Sequence, residues 1–246
     1  MNIFWFVLAL ISGYLLGSIS FTRILGKKVA PGEDLSVTEV QMGQSQSKFQ
    51  MHSVSATSLA FRKGPKIGCL VSLLDMLKAA VPVLGYRLAF PGADYYWLAA
   101  AGSVIGHNFP IYYRFKGGRG MSPLYGGLII IDWLAIVVTN VVGMLLGVFV
   151  FRDMFATWTL SVPLLIPWMI YRHGSPIAIL YSILVTVAFF VAIYPELKDH
   201  LANKRAGTDA DASVGEFFTG ASDLFMRKGR QENPDDDEIL KEIDGA

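Results

Sequence analysis

The residues best suited to chemistry stand in two neighbouring runs, Gly106-His107-Asn108-Phe109-Pro110 and Phe115-Lys116-Gly117-Gly118-Arg119-Gly120. Gly117, Gly118 and Gly120 let the backbone turn tightly and aim successive N–H groups at one point. Lys116 and Arg119 add positive charge, and a guanidinium can grip phosphate oxygens through two parallel hydrogen bonds. Together these groups describe a phosphate cradle. It is not a Walker A loop, because the spacing differs and no Lys-Ser/Thr follows. An ordinary basic loop at a membrane surface would use the same residues, and spacing alone does not separate the two. His107 has the residue type to take a proton from a hydroxyl nucleophile, or to serve as a hydrogen-bonded residue at a helix end. Asp75 and Lys78 lie three apart on one helical face within an apolar stretch. Ionisable residues inside a membrane are costly and usually functional, although such a pair also neutralises itself and orients its helix.

The elements that must position these residues are membrane helices. The chain has 246 residues, 53% hydrophobic and only 17% charged, against about 25% charged in a soluble domain. Its charges cluster between long apolar runs, so the fold class is an all-α polytopic integral membrane protein. Cys69 is a lone cysteine in an apolar run, which excludes an internal disulfide, and no metal-ligand spacing exists. The first apolar run lacks a basic leader and a cleavage site, and reads as a retained helix rather than a signal peptide.

Clear spans are expected at about 3–25, 67–90, 95–113, 154–171 and 175–194. The run 123–151 is one long tilted helix or two short ones broken near Asn140 or Gly143. Topology favours two. Lys and Arg collect in the loops 26–66 and 114–122 and after Tyr194, which the positive-inside rule assigns to the cytoplasm. With the N-terminus outside, the parity needs about seven segments, two of them short. The tension is length, because the 123–151 run gives only about 42 Å of helix. The organisation is therefore a membrane domain over 1–194 and a polar cytoplasmic tail over 195–246 with an acidic end. No internal repeat supports an inverted-repeat transporter, the reading that Asp75 and Lys78 would otherwise motivate.

Gly13-Tyr14-Leu15-Leu16-Gly17-Ser18-Ile19, Leu73-Leu74-Asp75-Met76-Leu77-Lys78 and the two runs at 106–110 and 115–120 occur in the order found in the PlsY-type glycerol-3-phosphate acyltransferases. The chain resembles that family from about residue 10 to about 210. The resemblance implies transfer of a fatty acyl group from acyl phosphate to glycerol 3-phosphate at the cytoplasmic face of a bacterial plasma membrane, forming lysophosphatidic acid. It implies no cofactor, no metal and no nucleic-acid partner, and a monomer in the bilayer. It places the acyl phosphate on Gly117, Gly118 and Gly120, with Arg119 where the family usually has Lys. It adds Ser18, Thr57 and Arg62 as substrate-binding positions, and leaves His107, Lys116 and Arg119 as the catalytic candidates. Two family motifs are altered. Of Gly-Ser-Gly-Asn-x-Gly-Ala-Thr-Asn, Ala56-Thr57 remain, with Arg62 one place from the family Arg. In the third motif Leu197 aligns with the His, His200 with the Asn and Asn203 with the Arg, and Gly207 and Asp209 end it. These changes fall on the acceptor half, so a relative that acylates another hydroxyl, or no longer catalyses, is the alternative.

Overall fold

The computed structural model describes residues 2–32, 38–41, 48–51 and 53–206. His52, Gly207, Asp209 and the acidic end lie outside the described residues. The helices are α1 (Ile3–Gly17), α2 (Phe21–Val29), α3 (Ala56–Lys63), α4 (Pro65–Ala89), α5 (Tyr95–Asn108), α6 (Met121–Ile131), α7 (Trp133–Leu145), α8 (Met154–Thr159), α9 (Leu165–Arg172) and α10 (Pro176–Ala206). A 3-10 turn, Ile111–Tyr113, follows α5, and α7 runs on into a π-helical stretch, Leu146–Phe151. The polar loop after α2 carries one feature that sequence reading left out, an antiparallel hairpin. Its strands β1 (Thr38–Gln41) and β2 (Lys48–Met51) pair Thr38 with Met51 and Gln41 with Lys48.

Among the described residues, four stretches are long and apolar enough to cross a bilayer: Ile3–Val29, Pro65–Ala89, Trp133–Phe151 and Pro176–Arg205. Their outward faces carry apolar side chains, among them Val7, Leu73, Val81, Val137 and Val187. In water this surface would drive association, and in a bilayer it is the solvent-compatible one. The chain is thus a helical integral membrane protein.

α5 is the central post, buried at almost every position from Tyr95 to Asn108. It lies parallel to α1 at backbone contact. A Cβ on Gly13 would stand 2.9 Å from the Ala99 carbonyl carbon, and one on Gly17 2.7 Å from Ser103 Cα. Reciprocally, Gly102 meets Tyr14 N at 2.9 Å and Gly106 meets Ser18 N at 3.0 Å. This is glycine-mediated packing, which lets membrane helices associate through van der Waals contact where lipid offers no hydrophobic drive. Tyr14 completes the pair by donating its hydroxyl to Phe109 O at 2.8 Å, fixing α1 to the end of α5.

The 123–151 run is broken, but at Asp132 rather than near Asn140 or Gly143. Asp132 lies between α6 and α7 with φ −157° and ψ 84°. Its carboxylate accepts Trp168 Nε1 at 2.9 Å and lies 3.1 Å from His173 Nε2. Burial works against the Asp132 charge, but the hydrogen bonds from Trp168 and His173 outweigh it and hold the carboxyl below its ordinary pKa. Asn140 stays helical. Its Oδ1 accepts the Tyr125 hydroxyl at 2.8 Å, tying α7 to α6. Gly143 marks close packing, since a Cβ there would meet Ser161 N at 2.8 Å. The expected span 154–171 is two short helices parted by a turn at 160–164. The expected span 95–113 ends its α-helix at Asn108. α10 passes the expected boundary at Tyr194 and continues through Pro195 to Ala206, because Ile193, Glu196 and Leu197 keep packing against the bundle.

Candidate active site

The glycine loop lies directly on the C-terminal end of α5. A side chain at Gly117 would press on Pro110 Cδ (2.6 Å) and Asn108 O (2.7 Å). One at Gly118 would overlap the His107 imidazole at Nε2, with Cδ2 and Cε1 at 3.0 and 3.1 Å. Gly120 has φ +84°, a left-handed conformation natural to glycine. Gly118 N donates to His107 O at 3.1 Å, and Gly117 O accepts Val54 N at 3.2 Å. The glycines are therefore needed first for close packing, and the Gly118 amide is already engaged within the protein.

Beneath the loop lies a buried ionic set. Lys78 Nζ is 2.7 Å from Asp75 Oδ1, donates to Ile19 O at 2.6 Å, and lies 3.0 Å from His107 Nδ1. The ammonium faces a carboxylate, a carbonyl and an imidazole at once. Lys78 thus joins α4 to the α1–α2 link and to the end of α5. His107 Nδ1 is also 3.8 Å from Asp75 Oδ1. With Nδ1 facing Lys78 and Nε2 beneath Gly118, His107 packs under the loop.

Beside the loop, Arg119 is held by three distant segments. Its Nε donates to Ser53 Oγ at 3.1 Å and lies 3.2 Å from Glu196 Oε2 on α10. Its guanidinium sits 5.0 Å over the Trp158 ring of α8. Among the described residues, one buried terminal nitrogen of Arg119 has no hydrogen-bond partner. Burial lowers the Arg119 pKa from its ordinary value, with the Glu196 charge opposing that shift. On the other flank Arg23 donates to Lys116 O at 2.9 Å and lies 5.1 Å over Tyr113, which braces the start of the loop.

The structure thus brings together His107, Gly117, Gly118, Arg119 and Gly120, with Asp75 and Lys78 underneath. Lys116 is exposed beside them. Ser18 is fully buried and donates to Tyr14 O at 2.8 Å, so its hydroxyl is committed to α1. Thr57 is exposed in the first turn of α3, and Arg62 stands in the last turn of that helix. His200 lies 2.9 Å from Asp153 Oδ2 and stacks on Phe155, with Lys204 on the same carboxylate at 2.8 Å. Sequence reasoning missed Arg23, Ser53, Trp158 and Glu196. Glu196 alone carried a signal, as an acidic residue directly continuing an apolar span.

The fold and the site define a polytopic helical membrane protein with a guanidinium and a glycine loop gathered at one end of its central helix. The family description "Glycerol-3-phosphate acyltransferase" matches residues 7–203. The glycerol-3-phosphate acyltransferase of Halalkalibacterium halodurans is 33% identical over 188 residues, 72% of this chain and 82% of that one. The enzyme of the same name from Rhodopseudomonas palustris strain HaA2 is 30% identical over 213 residues, covering 86% and 96%. Among solved structures, PlsY, described as an integral membrane glycerol 3-phosphate acyltransferase, superposes with a TM-score of 0.63 at 22% identity. Its glycerol 3-phosphate form covers 80% of this chain and 92% of that one, and its lysophosphatidic acid form does the same. The chain belongs to the glycerol-3-phosphate acyltransferase family.

Proposed function

We propose that the protein transfers a fatty acyl group from acyl phosphate to a hydroxyl of glycerol 3-phosphate, forming lysophosphatidic acid and inorganic phosphate. The observation that carries this reading is the bare, buried terminal nitrogen of Arg119 beside the glycine loop. A buried unpaired donor costs about 1–3 kcal/mol, and a phosphate oxygen supplies the missing acceptor with a charge-assisted bond. In the reaction the hydroxyl oxygen attacks the acyl carbon, the bond from that carbon to the phosphate oxygen breaks, and phosphate leaves. Acyl phosphate is already activated, so the site has mainly to hold two anions together and screen their repulsion. Arg119 and Lys116 serve the donor phosphate. His107 supports the loop from below, and the departing phosphate, itself a base near neutral pH, takes the hydroxyl proton.

Seven crossings in a bacterial membrane fit this placement: α1, α4, α5, α6, α7, the α8–α9 pair and α10. They put Ser53, the glycine loop, Asp153 and the end of α10 on one face. Asn2, Tyr95, Asp132 and His173 come to the other, where Asn2 N donates to Tyr95 OH at 2.8 Å. Lys and Arg bias makes the first face cytoplasmic, with the protein acting as a monomer. One observation favours a second reading, an acceptor other than glycerol 3-phosphate. Asp153 engages His200, which aligns with an acceptor-site Asn of the family.

The test uses the full chain purified into lipid, palmitoyl phosphate and labelled glycerol 3-phosphate, with Arg119→Ala as control. Labelled lysophosphatidic acid that is lost in the control supports the reading. Palmitoyl phosphate consumption without that product favours another acceptor, and neither event in the wild type refutes acyl transfer.

A further inference from the structure

We infer that Glu196 is a positioning residue of the donor site: it holds Arg119 by the Nε edge of the guanidinium so that a terminal nitrogen faces the phosphate, and this makes arginine, not lysine, the residue that works at position 119. The inference rests on the acyl-phosphate reading above and deepens it.

Ser53 Oγ and Glu196 Oε2 both meet the same nitrogen, Nε, at 3.1 and 3.2 Å. The Trp158 ring covers one face of the guanidinium. These three contacts come from the segment before α3, from α8 and from α10, so they fix the planar group against different parts of the bundle. What they leave unused is a buried terminal nitrogen. A guanidinium is rigid and carries its donors on three separate nitrogens, so it can face a carboxylate through Nε and an oxyanion through a terminal nitrogen.

A carboxylate within reach of an anion site is otherwise a liability. Glu196 is 1% exposed, and a buried carboxylate near a phosphate repels it unless a cation stands between. Arg119 stands there. A lysine in its place is a single point charge at the end of a flexible stem. Glu196 would capture that ammonium as a contact pair and withdraw it from the phosphate. The acidic residue on α10 and the arginine in the loop are in this sense one device.

The consequence is a reversal of sign. In the native background Glu196→Gln, which keeps the shape and removes the charge, loosens the grip, and the KM for palmitoyl phosphate rises about tenfold while kcat stays within about threefold. In the Arg119→Lys background the same Glu196→Gln change releases the ammonium, and kcat/KM for palmitoyl phosphate rises about tenfold above Arg119→Lys alone. A residue that merely stabilises the fold gives losses in both backgrounds. The experiment measures KM and kcat for palmitoyl phosphate in wild type, Glu196→Gln, Arg119→Lys and the double variant, with monodispersity in detergent checked for each. Opposite signs in the two backgrounds establish the inference. Losses in both, or no effect in either, overturn it. If Glu196→Gln alone folds poorly, the gain of the double variant over Arg119→Lys decides, and no gain overturns the inference. A wild-type chain without turnover removes instead the acyl-transfer reading on which the inference rests.

Discussion

Gly118→Ala is the smallest change that separates the two jobs of the glycine loop. The new methyl group occupies the position of His107 Nε2, with the ring carbons Cδ2 and Cε1 at 3.0 and 3.1 Å. A free imidazole would swing aside at little cost, but this one is anchored. Its Nδ1 is 3.0 Å from Lys78 Nζ, and that ammonium is held in turn by Asp75 at 2.7 Å and Ile19 O at 2.6 Å. Either the ring retreats by about 1 Å and breaks the Lys78 contact, or the loop lifts by a similar distance. Overpacking of this kind costs about 1–3 kcal/mol, and a buried donor left without its partner about 1–3 kcal/mol more. The expected loss of stability is therefore about 2–6 kcal/mol. A displacement of about 1 Å at the donor phosphate costs on the order of 100-fold in turnover. Thermal unfolding in detergent reads the first quantity, and lysophosphatidic acid formation from palmitoyl phosphate reads the second. The diagnostic variant is Gly118→Ala combined with His107→Ala, in which the methyl group has room. If the clash is the cause, the double variant is more stable than the sum of the two single losses implies, by at least about 1 kcal/mol. Full stability and activity in Gly118→Ala, or strictly additive losses in the double variant, would refute the packing argument.

Three further outcomes are expected. Lys78→Met leaves the Asp75 carboxylate buried without its cation and is expected to cost about 3–5 kcal/mol, seen as loss of folded protein in membranes; Lys78→Met/Asp75→Leu should recover much of it. Gly102→Val drives a side chain into the α1 backbone, where a Cβ already meets Tyr14 N at 2.9 Å, and should separate α1 from α5 and abolish folding, whereas Gly85→Ala, which meets nothing within 4 Å, should be silent in thermal unfolding. At Asp153, burial favours protonation, but hydrogen bonds from Lys204, Ala156 N and His200 outweigh it and bring the pKa from 3.8 down to about 2. A depressed carboxylate stabilises the fold above its unfolded pKa and loses that contribution as pH falls from about 4 toward about 2. Asp153→Asn should therefore lower the unfolding temperature at pH 7 and narrow its gap to wild type near pH 2, with a contribution of at most about 1 kcal/mol after solvent screening.

What the sequence made legible follows from where the information sits. Long apolar runs announce α1, α4 and α10, because a span is encoded in consecutive residues. The break between α6 and α7 is not announced, because it depends on Asp132 finding Trp168 and His173, which are far away in the chain. Asn140 and Gly143 drew attention as breakers, yet each serves a neighbouring helix, one by a hydrogen bond and the other by allowing backbone approach. At the site, the glycine loop could be picked out by composition, and the Asp75–Lys78 pair by its spacing of three. That the glycines pack on His107 required the end of α5 in three dimensions. Trp158 and Ser53 carry no local signal at all, since their role exists only through the position of Arg119.

The pairing of charges around the loop has an electrostatic logic. Two dianions held about 5 Å apart repel by roughly 13 kcal/mol at an effective dielectric of about 20, so a site for acyl phosphate and glycerol 3-phosphate cannot tolerate bare negative charge nearby. Two buried carboxylates are nevertheless present, Asp75 and Glu196, each about 1% exposed. Each stands against a cation, Lys78 at 2.7 Å and Arg119 at 3.2 Å. The two cations differ in what they have left. Lys78 is surrounded by Asp75, Ile19 O and His107 inside the protein, which ties it to the support of the loop. Arg119 retains a terminal nitrogen after Nε is taken, so it can hold a carboxylate and an oxyanion together. In the proposed site the donor phosphate would be met by a guanidinium fixed in place and by the exposed Lys116. Fixed charge needs no reorganisation when the leaving phosphate develops its own, which is what a site acting by positioning requires.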